Sequence, residues 1–231
     1  MKSKHGSEEL SDASCAILAK KLARSIQGKA FSELADVTFD HRGAVLIGRV
    51  FIKSLQRCGY DLSDFDAVGA LTSAAVPIVD AIIHTAAAQG SELNAFVMDF
   101  VYPSIKGPSI AGKRVLLVDS WLSEKSYIQT SSLVTLRDGN ELGLDFGIIT
   151  KEGATVVAIA SLIGSQQQFG HAPKSDPSPR SFEIEAVNPA TQEHATIPFV
   201  MVFDEDTLRS QLPADSDTTV RSERGMEDTE A

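Results

Sequence analysis

The sequence predicts an α/β protein built on a doubly wound parallel sheet, and three observations carry that expectation. Short apolar runs alternate with longer helical patterns between residues 44 and 164. One run, "ATVVAIASLIG", is apolar throughout, as central parallel strands buried on both faces are. Another, "KRVLLVDSW", carries an aspartate into a hydroxyl-bearing turn, "LSEKS", the way a strand delivers an acid to a ligand crevice.

Residues 8–27 read as an amphipathic helix with Cys15, Leu18, Leu22 and Ile26 on one face. A polar, weakly patterned stretch, "GKAFSELADVTFDHRG", leads into a second helix over 44–57. That helix turns Leu46, Ile47, Val50, Phe51 and Leu55 towards a core and stops at Gly59, a residue suited to a helix C-terminus. "FDAVGALT" is a short buried strand, "AAVPIVDAIIHTAAAQG" the helix after it, "NAFVMDFV" a second strand and "KRVLLVDSW" a third. "SYIQTSSLVTLRD" reads as a further helix and "ATVVAIASLIG" as the fourth strand. Beyond Gly164, "SQQQFGHAPKSDPSPRS" is a polar loop, and "FEIEAVN" and "ATIPFVMVF" are two strands turning at "NPATQEH". They form a hairpin, either added at the sheet edge or acting as a hood. The chain thus divides into an N-terminal helix (1–30), a core (31–164) with an insertion at about 138–152, a loop with C-terminal strands (165–212), and an acidic tail (213–231). The tail lacks the apolar content needed to fold.

At 231 residues with 43% hydrophobic content, the chain suits one domain with a substantial core. A net charge of −10 argues against nonspecific binding to nucleic acid or an anionic membrane. From Asp204 onward nine acidic residues face three basic ones, so over half the excess lies in the C-terminal region. The body is only mildly acidic and is compatible with a local anion site. Cys15 and Cys58 have no metal or disulfide-framework spacing and are expected as buried free thiols. The N-terminal "MKSKHGSEELSDAS" has no apolar core of a signal peptide, and no apolar run reaches membrane-spanning length, so a cytoplasmic protein is expected.

Chemistry is sought beyond the carboxyl ends of the strands. "GALTSAAVP" offers Thr72 and Ser73; "LLVDSWLSEKS" offers Asp119, Ser120, Ser123, Lys125 and Ser126. Asp119 suits a sugar hydroxyl or a metal ion, and the serine-bearing turn near a helix start suits an anion. The alternative is that Asp119 and Ser120 only terminate a strand. Trp121 either stacks on a base or fills the crevice. His84 is expected to pack or cap its helix, and His171 and His194 stand in loops without a cysteine or acid at metal spacing, so no metal site is assigned. No Ser-His-Asp arrangement follows from spacing.

Taken in order, "DHRGAVLIGRV", "VGALTSAAVPIVDAIIH", "NAFVMDFV", "IAGKRVLLVDSWLSEKS" and "GATVVAIASLIG" resemble the orotate phosphoribosyltransferases. The likeness runs over about residues 40–164. It implies the type I phosphoribosyltransferase fold: a parallel sheet flanked by helices, with a small hood or edge hairpin. It also implies a dimer, either a homodimer or a heterodimer with a related subunit.

The resemblance carries an activity, and each working part has its place in this sequence. In the family, two adjacent acids at a strand end hold the ribose hydroxyls of phosphoribosyl pyrophosphate, and a following Thr-Thr-Gly turn wraps the 5′-phosphate. Here Asp119 matches the first acid and Ser123 the first threonine. Ser120 replaces the second acid, Glu124 the second threonine and Lys125 the glycine. A carboxylate at a phosphate position repels it, and a Cβ hinders the positive φ that glycine permits. The family's Arg-Lys pair, which grips pyrophosphate, becomes Asp99 and Phe100. Its mobile Lys/His/Gly loop becomes "VYPSIKGPSIAG", with Lys106 as the sole catalytic candidate. The pyrophosphate turn after the first strand keeps Thr72 and Ser73 but has Ala74 and Val76 where a glycine and an acid are usual, and on the orotate side only Lys29 offers a basic residue.

The sequence therefore supports a phosphoribosyltransferase-like chain with impaired transfer, acting through a nucleotide-like ligand, a partner or regulation. The alternative is an active transferase of pyrimidine nucleotide metabolism with an altered donor site, using Mg2+ with phosphoribosyl pyrophosphate. A third reading is an interaction module acting through the acidic tail and the proline-bearing loop.

Overall fold

The computed structural model describes residues 3–27, 34–122, 135–137, 141–165 and 179–211. The expectations for Lys29, Ser123, Lys125, Ser126, His171, the loop at 166–178 and the tail fall outside them.

The helices begin and end where local chemistry requires. Helix α1 spans Ser3–Ser25 and α2 spans Ala35–Thr38. Helix α3, His41–Arg57, starts three residues before the periodicity predicts, because the Asp40 carboxylate accepts the Gly43 N–H at 2.9 Å. The same carboxylate takes Lys21 Nζ at 2.6 Å, which joins α1 to the start of α3. After the C-cap at Cys58, Gly59 turns the chain with φ +92°. Helix α4, Val76–Ala88, follows a 3-10 turn at Ser73–Ala75 and carries Pro77 in its first turn, where the missing N–H costs nothing.

Nine strands form one sheet: β1 (Ala67–Ala70), β2 (Asn94–Asp99), β3 (Ser104–Lys106), β4 (Arg114–Leu122), β5 (Thr135–Arg137), β6 (Glu141–Gly143), β7 (Thr155–Gly164), β8 (Arg180–Val187) and β9 (His194–Asp204). The order is β3-β2-β1-β4-β7-β9-β8-β6-β5, and β2, β1, β4, β7 and β9 are mutually parallel. Two short helices, α5 (Gly147–Thr150) and α6 (Glu205–Ser210), complete the described chain. One core lies under α1, α3 and α4, where Leu18, Leu22, Ile47, Phe51, Ile78 and Ile82 meet Val68, Val118, Ala160 and Val200. A second core on the other face joins Phe96, Leu117, Ile159 and Phe199 to Ile148 and Ile149 of α5.

The expected C-terminal hairpin is β8–β9. It extends the sheet, with β9 parallel to β7 and β6 and β5 lying beyond β8. Three expectations are corrected. The predicted helix "SYIQTSSLVTLRD" ends in a strand, because Thr135–Arg137 pairs antiparallel with Glu141–Gly143; the residues before it lie outside the described set. The third strand, expected over 113–121, spans Arg114–Leu122, and it does not terminate at Asp119 and Ser120 as the alternative reading has it, since it stays paired with β7 as far as Leu122 and Gly164. His84 is neither packed nor a cap, standing exposed on α4 at 3.5 Å from Asp80. Cys15 and Cys58 are half-buried free thiols. Among the described residues no helix is long and apolar enough to cross a membrane.

Helices α3 and α4 touch at Gly48, where an added Cβ would lie 2.1 Å from Thr85 Oγ1 and 2.2 Å from the Ala81 carbonyl oxygen. In a solvent-exposed helix, replacing glycine by alanine gains about 1 kcal/mol. Here overpacking against backbone outweighs that gain. Gly48→Ala is expected to destabilise the protein by about 2 kcal/mol, read as a lowered urea midpoint. An unchanged midpoint would mean that the helices do not meet at this contact.

Candidate functional site

The sheet changes its direction of growth between β1 and β4: β2 lies on one side of that pair and β7 on the other. Crevices open at such switch points, beyond the carboxyl ends of the strands. Thr72, just past the end of β1, meets Asp119 of β4 there. Its hydroxyl donates to Asp119 Oδ1 at 2.7 Å, and the Ser120 backbone N–H donates to the same oxygen at 2.7 Å.

Asp119 is buried, with 4% of its surface exposed. Burial pushes its pKa from 3.8 up to about 6, against the opposing pull of the Thr72 and Ser120 hydrogen bonds. Its register partner is Ser161 of β7. The Ser161 hydroxyl is buried and has no hydrogen-bond partner among the described residues. Ser120 is also buried, whereas Ser73 faces outward at the foot of α4. The structure therefore joins Thr72, Asp119 and Ser120, and leaves Ser73 outside that cluster.

Beyond Asp119 the strand is closed by an anchor. Trp121 is 2% exposed, and its indole Nε1 donates to Glu205 Oε2 at 2.8 Å. Glu205, itself buried, also accepts from Arg209 Nε at 2.9 Å. Arg209 Nη1 reaches the Ile26 carbonyl oxygen at 2.9 Å, and the guanidinium lies 5.7 Å from the centre of the Trp121 ring. Trp121 is thus bound into the core between β4, α6 and the end of α1, where its ring offers no open face for a base.

The third strand end is likewise internally satisfied. Asp99 Oδ1 accepts the N–H groups of Val101 and Tyr102, each at 3.0 Å, closing the turn between β2 and β3. These bonds, the one from Tyr102 foremost, hold the Asp99 carboxyl below its usual range. Lys106 on β3 is well exposed and stands 3.8 Å from Asp99 Oδ2. No described contact links Lys106 to the Asp119 cluster.

A hydrated Mg2+ needs carboxylate oxygens open to water or to a ligand phosphate. Asp119 is sealed into the sheet with one oxygen doubly hydrogen-bonded, and no group of three His, Cys, Asp or Glu side chains stands together among the described residues. The described residues do not fit the ion. What the cluster can do is hold or release a proton at Asp119 near neutral pH and accept one hydroxyl hydrogen bond.

Sequence reasoning missed Ser161, Glu205 and Arg209. The four-residue spacing of Glu205 and Arg209 in "EDTLR" is a readable helix pair. Their joint role at Trp121 is a contact between residues 84 apart and has no local signal.

No family model matches the chain. The orotate phosphoribosyltransferase of Tropheryma whipplei is 36% identical over 139 residues, 58% of this chain and 56% of that protein. The chain thus spans little more than half the length of that relative. The orotate phosphoribosyltransferase of Streptomyces avermitilis is 31% identical over 148 residues, covering 62% of this chain and 71% of that protein. Among solved structures, orotate phosphoribosyltransferase of Mycobacterium tuberculosis with inorganic phosphate matches at 25% identity and a TM-score of 0.48, over 66% of this chain and 77% of the other. A phosphoribosyltransferase from Corynebacterium diphtheriae matches at 24% identity and a TM-score of 0.47, over 66% and 84%.

The raised pKa of Asp119 has a signed consequence. The folded chain holds this proton more tightly than the unfolded chain, so the stability it contributes is fully present below 3.8 and is lost as pH rises through about 6. A two-unit displacement is worth up to about 3 kcal/mol. Asp119→Asn keeps an acceptor for Thr72 and Ser120, and is expected to exceed wild-type stability by up to that amount in mildly alkaline buffer, but not in acid. Urea unfolding of both proteins across this range reads the difference; parallel pH profiles would refute the assignment. Separately, Glu205→Ala removes the acceptor of the buried Trp121 N–H and is expected to cost about 3 kcal/mol. Thermal unfolding measures that loss, and an unchanged Tm would show that the anchor adds nothing.

Proposed function

The chain belongs to the orotate phosphoribosyltransferase family, and we propose that within it this protein is impaired in phosphoribosyl transfer. On this reading it acts by holding a nucleotide-like ligand, or through a partner in a homodimer or a heterodimer with a related subunit. The observation that carries the reading is the state of Asp119, the residue matching the family's ribose-binding acid. It is buried, and its Oδ1 is already used by Thr72 and the Ser120 amide. Binding a diol there means bringing ligand to a buried carboxylate whose Oδ1 is already occupied. Two further features support the same reading. Asp99 stands where the family places a cation and faces Lys106 at 3.8 Å, opposing the positive charge that pyrophosphate departure needs. Trp121 is committed to Glu205 rather than to a crevice.

A second reading has its own support: relatives at 31% and 36% identity are named orotate phosphoribosyltransferase, which favours an active enzyme of pyrimidine nucleotide metabolism using phosphoribosyl pyrophosphate with Mg2+. Calorimetric titration with phosphoribosyl pyrophosphate and Mg2+ separates the two, with ribose 5-phosphate as control. The impaired reading expects no Mg2+-dependent heat up to millimolar ligand. Micromolar, Mg2+-dependent binding followed by pyrophosphate release on adding orotate would overturn it.

A further inference from the structure

Helix α6 ties together strand tips that are far apart in the chain. It begins at Glu205, directly after Asp204, the last residue of β9, and the Asp204 carboxylate caps it by accepting the Thr207 N–H at 2.8 Å. Asp204 lies opposite Gly164 at the end of β7, and Gly164 lies opposite Leu122 at the end of β4. From the β9 tip, α6 therefore reaches past β7 to β4, where Glu205 Oε2 holds the Trp121 indole at 2.8 Å. Arg209 Nη1, donating to the Ile26 carbonyl oxygen at 2.9 Å, also grips the chain just after α1. Three strand tips and the end of α1 thus meet on one six-residue helix.

The part of the β4–β7 ladder under this clamp is the part least able to hold itself. Further into the sheet the paired residues are Leu116 with Ala158, Leu117 with Ile159 and Val118 with Ala160, all apolar and buried. Beyond them come Asp119, Ser120 and Ser161, polar and buried, and the Ser161 hydroxyl has no hydrogen-bond partner among the described residues. Burying a polar group gains less than burying an apolar one, and leaving it without a partner costs stability outright. Gly164 then closes β7 without a side chain to pack. What favours pairing at this end is the burial of Trp121 and Leu122, and Trp121 is held from α6. Only Ser120 separates Trp121 from Asp119, so the backbone around the acid is fixed while the indole stays bound.

We propose that α6 is an autoinhibitory latch: the Glu205–Trp121 bond, steadied by Arg209, keeps the end of β4 in the ladder and so withholds Asp119 from ligand. When the latch is released, residues 120–122 peel from β7 and the Asp119 carboxylate meets water. A ligand that uses Asp119 binds only the released form, so its apparent affinity is reduced by the fraction of molecules released. Glu205 and Arg209 act through Trp121, as positioning residues that touch no ligand themselves. The proposal rests on the reading of Asp119 as the ligand-facing acid and adds how that acid is withheld.

Carbodiimide coupling of glycinamide to the full chain, read by peptide mass spectrometry, tests it by reporting which carboxyls meet solvent. Asp80, whose side chain is 63% exposed, is labelled in every variant and sets the scale. Asp119 is expected to stay unlabelled in the wild type and to become labelled in Glu205→Ala. Arg209→Gln, which leaves the Trp121 acceptor in place, is expected to label less strongly, and keeps the test open if Glu205→Ala does not fold. Amide hydrogen exchange at Trp121 and Leu122 is expected to quicken about ten- to a hundredfold in Glu205→Ala, with little change at Leu116–Val118. Val200→Ala removes core volume from β9 without touching the latch, and is expected to leave Asp119 unlabelled. Labelling of Asp119 in the wild type or in Val200→Ala as readily as Asp80 overturns the proposal. So does an Asp119 unlabelled in both latch variants, or exchange that quickens equally at both stretches. Neither readout uses phosphoribosyl pyrophosphate, so the latch and the impaired transfer can fail separately.

Discussion

The parallel ladder between β4 and β7 is the constraint on which the site depends. From Leu116 opposite Ala158 to Leu122 opposite Gly164, both strands are buried, so each side chain must be apolar or satisfied from within. The ladder passes Asp119 and continues for three more residues, which draws the acid off the strand tip into the sheet. Thr72 supplies the hydrogen bond that burial demands, and the remaining cost appears as a carboxyl that ionises only near pH 6. The same extension places Trp121 where only a buried acceptor can serve its N–H, and Glu205 is that acceptor.

Most of the framework was legible because it rests on periodicity. The apolar runs that became β1, β2, β4 and β7, and the stripes of α3 and α4, are local patterns that burial enforces. The errors lie where a local pattern is overruled at long range. "SYIQTSSLVTLRD" has a helical look, yet its last residues pair with β6, which itself lies against β8 more than forty positions later. The alternative that Asp119 and Ser120 terminate β4 failed in the same way, because an aspartate followed by a serine reads locally as a strand terminus. Only the presence of β7 alongside keeps the ladder going. Within the candidate site, Thr72 and Asp119 were both readable from their positions after β1 and in β4; the bond between them was not, since 47 residues separate them. Ser161 was invisible inside an apolar run, and an isolated buried hydroxyl gives no periodic signal.

Three of the described groups at the strand ends share one property: each has an internal partner. Asp99 closes a turn and faces Lys106; Asp119 is bound by Thr72 and an amide; Trp121 is tied to α6. A site kept for binding holds groups unsatisfied until the ligand arrives, which lowers the stability of the empty protein. Framework and function separate easily in such folds, because the core lies beneath the sheet faces and the chemistry at the strand tips.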